Sequence, residues 1–188
     1  MKCIELLLKA GEIQWQGSLR ATYNKYLHPD VLDYTNPQMW EDMQNGKIAN
    51  LFQFETQVGA VCIKRTRPTS VAELGAANAV MRLMGEEGEE RPLDRYVRFR
   101  NDINEWYKEM DEAGLTSEEQ QVLKEELLSK YGNSVEQEDM MRLVQRPEIA
   151  NFTLGEANLL RKAVAKKDAK KIEKMKKRFF EAVDERGE

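Results

Sequence analysis

A chain of 188 residues, 41% hydrophobic and 33% charged, carries enough apolar side chain for one large core or two small ones beneath a heavily hydrated surface. Its longest apolar runs, such as Leu6-Leu7-Leu8, fall far short of the roughly 18–20 residues that cross a bilayer, and no signal-peptide hydrophobic region opens it, so a cytoplasmic protein without a membrane partner is expected. Cys3, Cys62 and the single histidine, His28, are too few for a disulfide framework or a Cys/His zinc site, and a net charge of −4 excludes a chain that is basic throughout.

The predicted elements are helices, with one short extended segment. Residues 3 to 10 and about 17 to 25 read as short helices, and Asn36 before Pro37 is an N-cap followed by proline at the first helical position, opening a helix that Gly46 ends. Ala49 to Phe54 is aromatic and short, the pattern of a strand. Gly59 and Pro68 confine the next helix to about residues 57 to 65. Ser70 and Glu73 have capping-box spacing for a helix running to Met84, after which Gly85 to Arg91 is a charged loop. Pro92 opens a long helix to about Ala113, with Tyr96, Phe99, Ile103, Trp106 and Met110 on one face. That stripe suits a base-stacking platform or a core, and its regular i, i+3, i+4 spacing opposite a charged face favours the core. Thr116 with Glu119 starts a helix to about Tyr131, residues 136 to 146 form another, and Pro147 breaks it.

The stretch from Thr153 to Lys167 carries the most information. Thr153 and Glu156 form a third capping box, so a helix begins at Leu154. Ala157, Leu160, Ala163 and Val164 make its core-facing stripe, while Lys162 and Lys166, with Arg161 beside them, point away. Asp168 caps a last helix that buries Ile172, Met175, Phe179 and Val183. Residues 161 to 178 hold ten basic side chains against Asp168 and Glu173, a segment of +8 that leaves −12 on the rest of a chain whose total is −4. Lysine-rich helices are often plain solvated faces; here the alternative is phosphate contact.

Leu154-Gly155-Glu156-Ala157, Leu159-Leu160-Arg161-Lys162-Ala163 and Lys166-Lys167 together resemble the LGxADxLRRAMGKK element in the fingers of bacterial C-family replicative DNA polymerases, the polymerase III alpha subunits. Leu51-Phe52-Gln53-Phe54-Glu55-Thr56 is similar to that family's FQxES segment, and Arg67-Pro68-Thr69-Ser70 to the PTS that follows it. Tyr131-Gly132, Glu136-Gln137-Glu138 and Met140-Met141 resemble its YG and YQEQVM segment, and Lys177-Arg178-Phe179 the end of its last helix. The blocks fall in the family's order over roughly residues 26 to 184. Departures are local: Arg82-Leu83-Met84-Gly85 stands where the family has RPGP, Ala165 where it has Gly, Glu136 where it has Tyr, and Thr56 where it has Ser. The family's palm motif, Pro-Asp-x-Asp-x-Asp, is absent; Pro29-Asp30 and Asp33 have the wrong spacing, with Leu32 where an Asp would stand.

The resemblance implies a mainly α, multi-helix fingers module: residues 1–48 as a helical segment leading out of a palm, and 49–188 as the fingers domain. No catalytic residue or metal ligand is assigned to this chain, which alone should not polymerise; Mg²⁺ and the catalytic carboxylates would come from the palm, on the same or a separate chain. The resemblance implies that Arg161, Lys162, Lys166 and Lys167, with Arg82, Gln53 and Thr56, contact the incoming dNTP. For Arg82 a surface ion pair is the equal alternative. Lys170, Lys171, Lys174 and Lys177 would contact primer-template DNA. Gln137 and Glu138 would either position the finger helices or form an ordinary polar face. The alternatives from other classes are a helical interaction module whose lysine-rich C-terminus binds nucleic acid or an acidic protein, and an inert structural remnant.

Overall fold

A computed structural model describes residues 2–83, 85 and 87–184, the side chains of residues 183 and 184 excepted. Among the described residues there are eleven α-helices, two short 3-10 turns and no strand. The helices are α1 (Lys2–Lys9), α2 (Leu19–Tyr26), α3 (Pro37–Gln44), α4 (Gln57–Thr66), α5 (Val71–Val80), α6 (Pro92–Asn101), α7 (Ile103–Glu112), α8 (Ser117–Leu127), α9 (Gln137–Gln145), α10 (Leu154–Ala165) and α11 (Ala169–Asp184). No described helix is long and apolar enough to cross a membrane.

The helix starts follow the caps in the sequence. Asn36, Thr56 and Ser70 accept from the backbone N–H groups of Gln38, Gly59 and Glu73, and Thr116 and Thr153 complete capping boxes with Glu119 and Glu156. At Ser70 the box is rewired. One Glu73 oxygen accepts from the N–H and hydroxyl of Thr69 at 2.7 and 2.9 Å, and the other accepts from the Tyr131 hydroxyl. Burial alone would raise the Glu73 carboxyl, but the bonds from Tyr131 and Thr69 outweigh it and the pKa falls. Burial, with the Glu73 carboxylate beside it, pushes Tyr131 up to about 12.

Three expectations are corrected. Ala49 to Phe54 is not extended: Asn50 and Gln53 adopt positive φ, and Leu51 and Phe54 donate to the carbonyls three residues back, making successive turns that fold Phe54 under α4. Helix α5 ends at Val80, because Arg82 and Leu83 bond three residues back rather than four; the expected end at Met84 lies outside the described residues. The long helix from Pro92 is two. Asp102 leaves helical geometry at φ −144°, ψ 100°, and its carboxylate accepts from the Asn104 N–H at 3.0 Å, capping α7.

The core is a succession of clusters that share helices. Trp40 and Met43 of α3 pack with Phe54, Cys62, Ile63 and Ala77, with Cys3 left exposed elsewhere. Ala76 and Val80 of α5 meet Tyr96 of α6, and Tyr131 and Val135 pack against them. Phe99, Trp106, Met110 and Leu127 form the next cluster, so the aromatic stripe is core. Val144 of α9 joins Ala150, Phe152, Ala157, Met175 and Ala182 in the last. Of the four residues expected to bury α11, Val183 is the one whose side chain lies outside the described residues.

Tyr131 and Gly132 join these clusters. Both have positive φ, 53° and 74°, and Gly132 lies so close to Trp106 that an added Cβ would fall inside the indole. Gly132→Ala should therefore destabilise the fold by at least about 2 kcal/mol through overpacking and left-handed strain, read as a lowered midpoint in urea denaturation with an unchanged slope.

Candidate functional site

Helix α10 lies between α9 and α11. Its start is fixed reciprocally: the Glu156 N–H donates to the Thr153 hydroxyl at 3.2 Å, and the Glu156 carboxylate accepts from the Thr153 N–H at 2.8 Å and from its hydroxyl at 2.9 Å. The second Glu156 oxygen meets Arg178 of α11 at 3.0 Å, and that guanidinium also lies over the Phe152 ring. The backbone N–H of Thr153, its hydroxyl and then Arg178 hold the Glu156 carboxyl below its ordinary value. At the other end Lys167 is left-handed at φ 51°, Lys167 N–H donates to the Val164 carbonyl, and Asp168 N–H donates to that of Ala163. These two bonds are a Schellman stop. Asp168 then accepts from Lys171 N–H and pairs with the Lys171 ammonium at 3.0 Å, starting α11.

The buried side of α10 is made of small residues: Ala157 and Ala163 are fully buried, with Leu160 half-buried beside them. Val164, expected in that stripe, is 45% exposed, because its place on the helix lies at the edge of the face covered by α9 and α11. Gly155, Leu159, Lys162 and Lys166 recur at i, i+4, i+7 and i+11 and are exposed, as expected for the outward face. Among the described residues Lys162, Lys166 and Lys167 have no ion-pair partner, and neither do Lys170, Lys174 and Lys177, which share one exposed face of α11. Lys171 differs, being tied to Asp168.

Arg161 is half-buried and ordered. Its Nε and Nη2 donate to the Asn158 amide oxygen at 3.1 and 2.9 Å, and Nη1 donates to the Gln137 amide oxygen, the first residue of α9, at 3.1 Å. The sequence placed Gln137 as a helix-positioning residue, and it does join α9 to α10. Asn158 was missed, although its i, i+3 spacing from Arg161 carried the signal.

The remaining sequence candidates lie on other elements. Thr56 caps α4, accepting from Gly59 and donating to the Gln53 carbonyl at 3.2 Å, and a Cβ on Gly59 would collide with the Phe54 backbone. Gln53 is left-handed, with its buried Oε1 lacking a protein hydrogen-bond partner. Arg82 is exposed in the turn after α5 and forms no ion pair among the described residues. The structure thus collects Arg161, Lys162, Lys166 and Lys167 on one helix beside the α11 lysines, Gln53 and Thr56 at the start of α4, and Arg82 after α5. No group of three or more Asp, Glu, His or Cys side chains able to hold a metal ion occurs among the described residues.

Residues 13–187 match the family model described as the bacterial DNA polymerase III alpha subunit finger domain. A probable DNA polymerase, YorL, of Bacillus subtilis is 42% identical over 184 residues, 98% of this chain and 14% of that protein. The same identity and coverage hold for the DNA-directed DNA polymerase of Bacillus phage SPbeta. The DNA polymerase III subunit alpha of Treponema pallidum is 30% identical over 174 residues, 92% of this chain and 14% of the relative. The chain thus spans about one-seventh of the length of these curated relatives. No solved structure matches it significantly.

The lowered Glu156 pKa sets a pH dependence for α10. A carboxyl depressed on folding contributes stability that is complete above its ordinary value of 4.5 and is lost as pH falls through its lower folded value. Glu156→Gln should cost a few tenths to about 1 kcal/mol near neutral pH, through loss of the charge at the helix start and opposite Arg178. Urea denaturation of both proteins should show the gap closing as pH is lowered below 4.5.

Proposed function

The chain belongs to the bacterial DNA polymerase III alpha subunit finger domain family, and from that premise we propose that it binds the triphosphate of the incoming dNTP along α10 and primer-template DNA along α11. The observation that carries the proposal is the row of cations without carboxylate partners, Lys162 and Lys166 on α10 and Lys170, Lys174 and Lys177 on α11, in a chain whose net charge is −4. Most arginines elsewhere are spent on carboxylates: Arg98 meets Glu90 and Glu109, and Arg146 meets Glu125. The helix-dipole effect accounts for cations in the last turn of α10 but not for the lysines spread along α11.

Nucleotidyl transfer requires the charge of the triphosphate to be neutralised while the reacting phosphoryl centre is held in line. Arg161 would supply planar donors and Lys162 and Lys166 point charges, on a helix with rigid caps at both ends. Lys167 would serve from the Schellman turn, and Arg82 from the turn after α5. Gln53, with its orphaned amide oxygen, and Thr56 would line the nucleotide pocket from the start of α4. In the complete polymerase Mg²⁺ and the catalytic carboxylates belong to a palm; the described residues offer no fitting cluster, and no step through the metal is derived for this chain. The exposed Leu6, Trp15, Tyr23 and Tyr34 of the N-terminal segment suit a surface against that palm. The setting is the cytoplasm.

In an assembly that includes the palm, Arg161→Ala should reduce dNTP incorporation efficiency by about 10- to 150-fold, since a charge-assisted phosphate contact is worth about 1.5–3 kcal/mol, whereas Lys174→Ala should leave the use of dNTP nearly unchanged. Equal effects in steady-state nucleotide kinetics would refute a triphosphate role for α10.

DNA binding by the chain itself should weaken steeply with salt, with a log–log slope of about −0.9 for each duplex phosphate contacted. Replacing Lys170, Lys174 and Lys177 with Gln should flatten that slope. Lys171→Gln should flatten it less, because that ammonium is already paired with Asp168. A salt-independent affinity in fluorescence anisotropy would exclude electrostatic contact by α11.

A further inference from the structure

Arg161 differs from the other arginines that bond a side chain. Among the described residues, Arg65, Arg98, Arg142, Arg146 and Arg178 all meet carboxylates, at distances from 2.6 to 3.7 Å. Arg161 meets only the amide oxygens of Asn158 and Gln137. Carboxylates at those two places would hold the guanidinium more strongly, so the amides are the weaker choice for anchoring. They do what carboxylates cannot: they fix the plane of the guanidinium and leave its charge uncancelled. Three of its five N–H groups are used and two remain.

The anchoring is not casual. Gln137 opens α9 two residues before Asp139, whose fully buried carboxylate accepts from the backbone N–H groups of Val135 and Glu136 at 3.1 and 2.9 Å and from Lys130 and Arg142 at 2.5 and 2.6 Å. The start of α9 is therefore fixed. Asn158 lies one turn before Arg161 on α10, where Ala157 and Ala163 are fully buried. Both acceptors are held by backbone that cannot drift.

We propose that Gln137 and Asn158 are positioning residues that aim the Arg161 guanidinium at an external polyphosphate while leaving its positive charge available to it. This rests on the triphosphate reading of α10 above. It adds that the neutrality of the two acceptors, and not only their hydrogen bonds, is the functional property. A Glu at position 137 would keep the bond to Arg161 and strengthen it, yet cancel the charge that the polyphosphate needs.

The test is isothermal titration of the chain with inorganic tripolyphosphate at low salt, together with thermal melting of each variant. Gln137→Glu should lower tripolyphosphate affinity by about tenfold or more while the melting temperature is kept or raised. Lys176→Gln, which changes the net charge by the same one unit in the same basic region, should change affinity far less. In an Arg161→Ala background the Gln137→Glu effect should vanish, because the two act through one group. Asn158→Asp should behave as Gln137→Glu does, a second route to the same result. If wild type binds tripolyphosphate and Gln137→Glu binds it equally well, the positioning proposal is overturned and the triphosphate reading stands. If the Gln137→Glu loss persists without Arg161, the effect is general electrostatics and the proposal is again overturned. If wild type does not bind tripolyphosphate at all, the reading of α10 fails and this proposal fails with it.

Discussion

The Asp139 carboxylate is the group to which the second half of the chain is referred. It has no exposed surface, and its two oxygens take the Lys130 ammonium, the Arg142 guanidinium and two backbone N–H groups. Lys130 ends the 3-10 turn after α8, Val135 and Glu136 lead into α9, and Arg142 lies one turn further along. One side chain therefore pins the loop from 131 to 136 at both ends. A buried ion pair contributes little net stability over an apolar substitute, but removing one partner leaves a buried charge and costs about 3–5 kcal/mol. The interaction is best understood as a register device: it sets where α9 begins.

What that register fixes lies on both sides. The pinned loop carries Tyr131, whose hydroxyl donates to Glu73 at the head of α5 and whose ring meets Tyr96 edge-on at a centroid distance of 5.7 Å. It also carries Gly132, whose lack of a Cβ admits the Trp106 indole. In the other direction it presents Gln137 to Arg161. The α5–α6 cluster, the Trp106 cluster and the cationic helix are thus mechanically joined through residues 130 to 139. The Tyr-Gly pair and the polar run at residues 136 to 138, which carry the family resemblance in this region, are the residues at those joints.

Much of this was legible because capping is local chemistry. A Ser, Thr or Asn oxygen reaches an N–H two or three residues on, so Asn36, Thr56, Ser70, Thr116 and Thr153 mark helix starts without knowledge of the fold. The misses are positions where tertiary contact decides. Residues 49 to 54 have strand-like side chains, but burying Phe54 beneath α4 requires turns, and Asn50 and Gln53 take left-handed backbone to make them. Asp102 interrupts a helical stripe whose apolar spacing continues undisturbed on either side, so periodicity alone passes over it. In the candidate site the cations could be read from sequence, since clustering is compositional. Their partners could not: the bond from Arg161 to Gln137 spans 24 residues and exists only because α9 and α10 meet.

That meeting is governed by size. Ala157 and Ala163, at 0% and 1% exposure, are the fully buried residues of α10, and side chains this small allow close approach of the helices on either side. Larger residues there would add burial but would hold α10 away from α9, lengthening the 3.1 Å bond between Arg161 and Gln137 beyond use. The modest apolar burial of α10 is therefore consistent with the task of its polar edge. Its caps compensate, with Glu156 bonded at once to Thr153 and Arg178 at the start and a Schellman turn at the end. Local bonds hold the helix formed, small residues set its distance from its neighbours, and the outward row of Gly155, Leu159, Lys162 and Lys166 is left free of any packing duty.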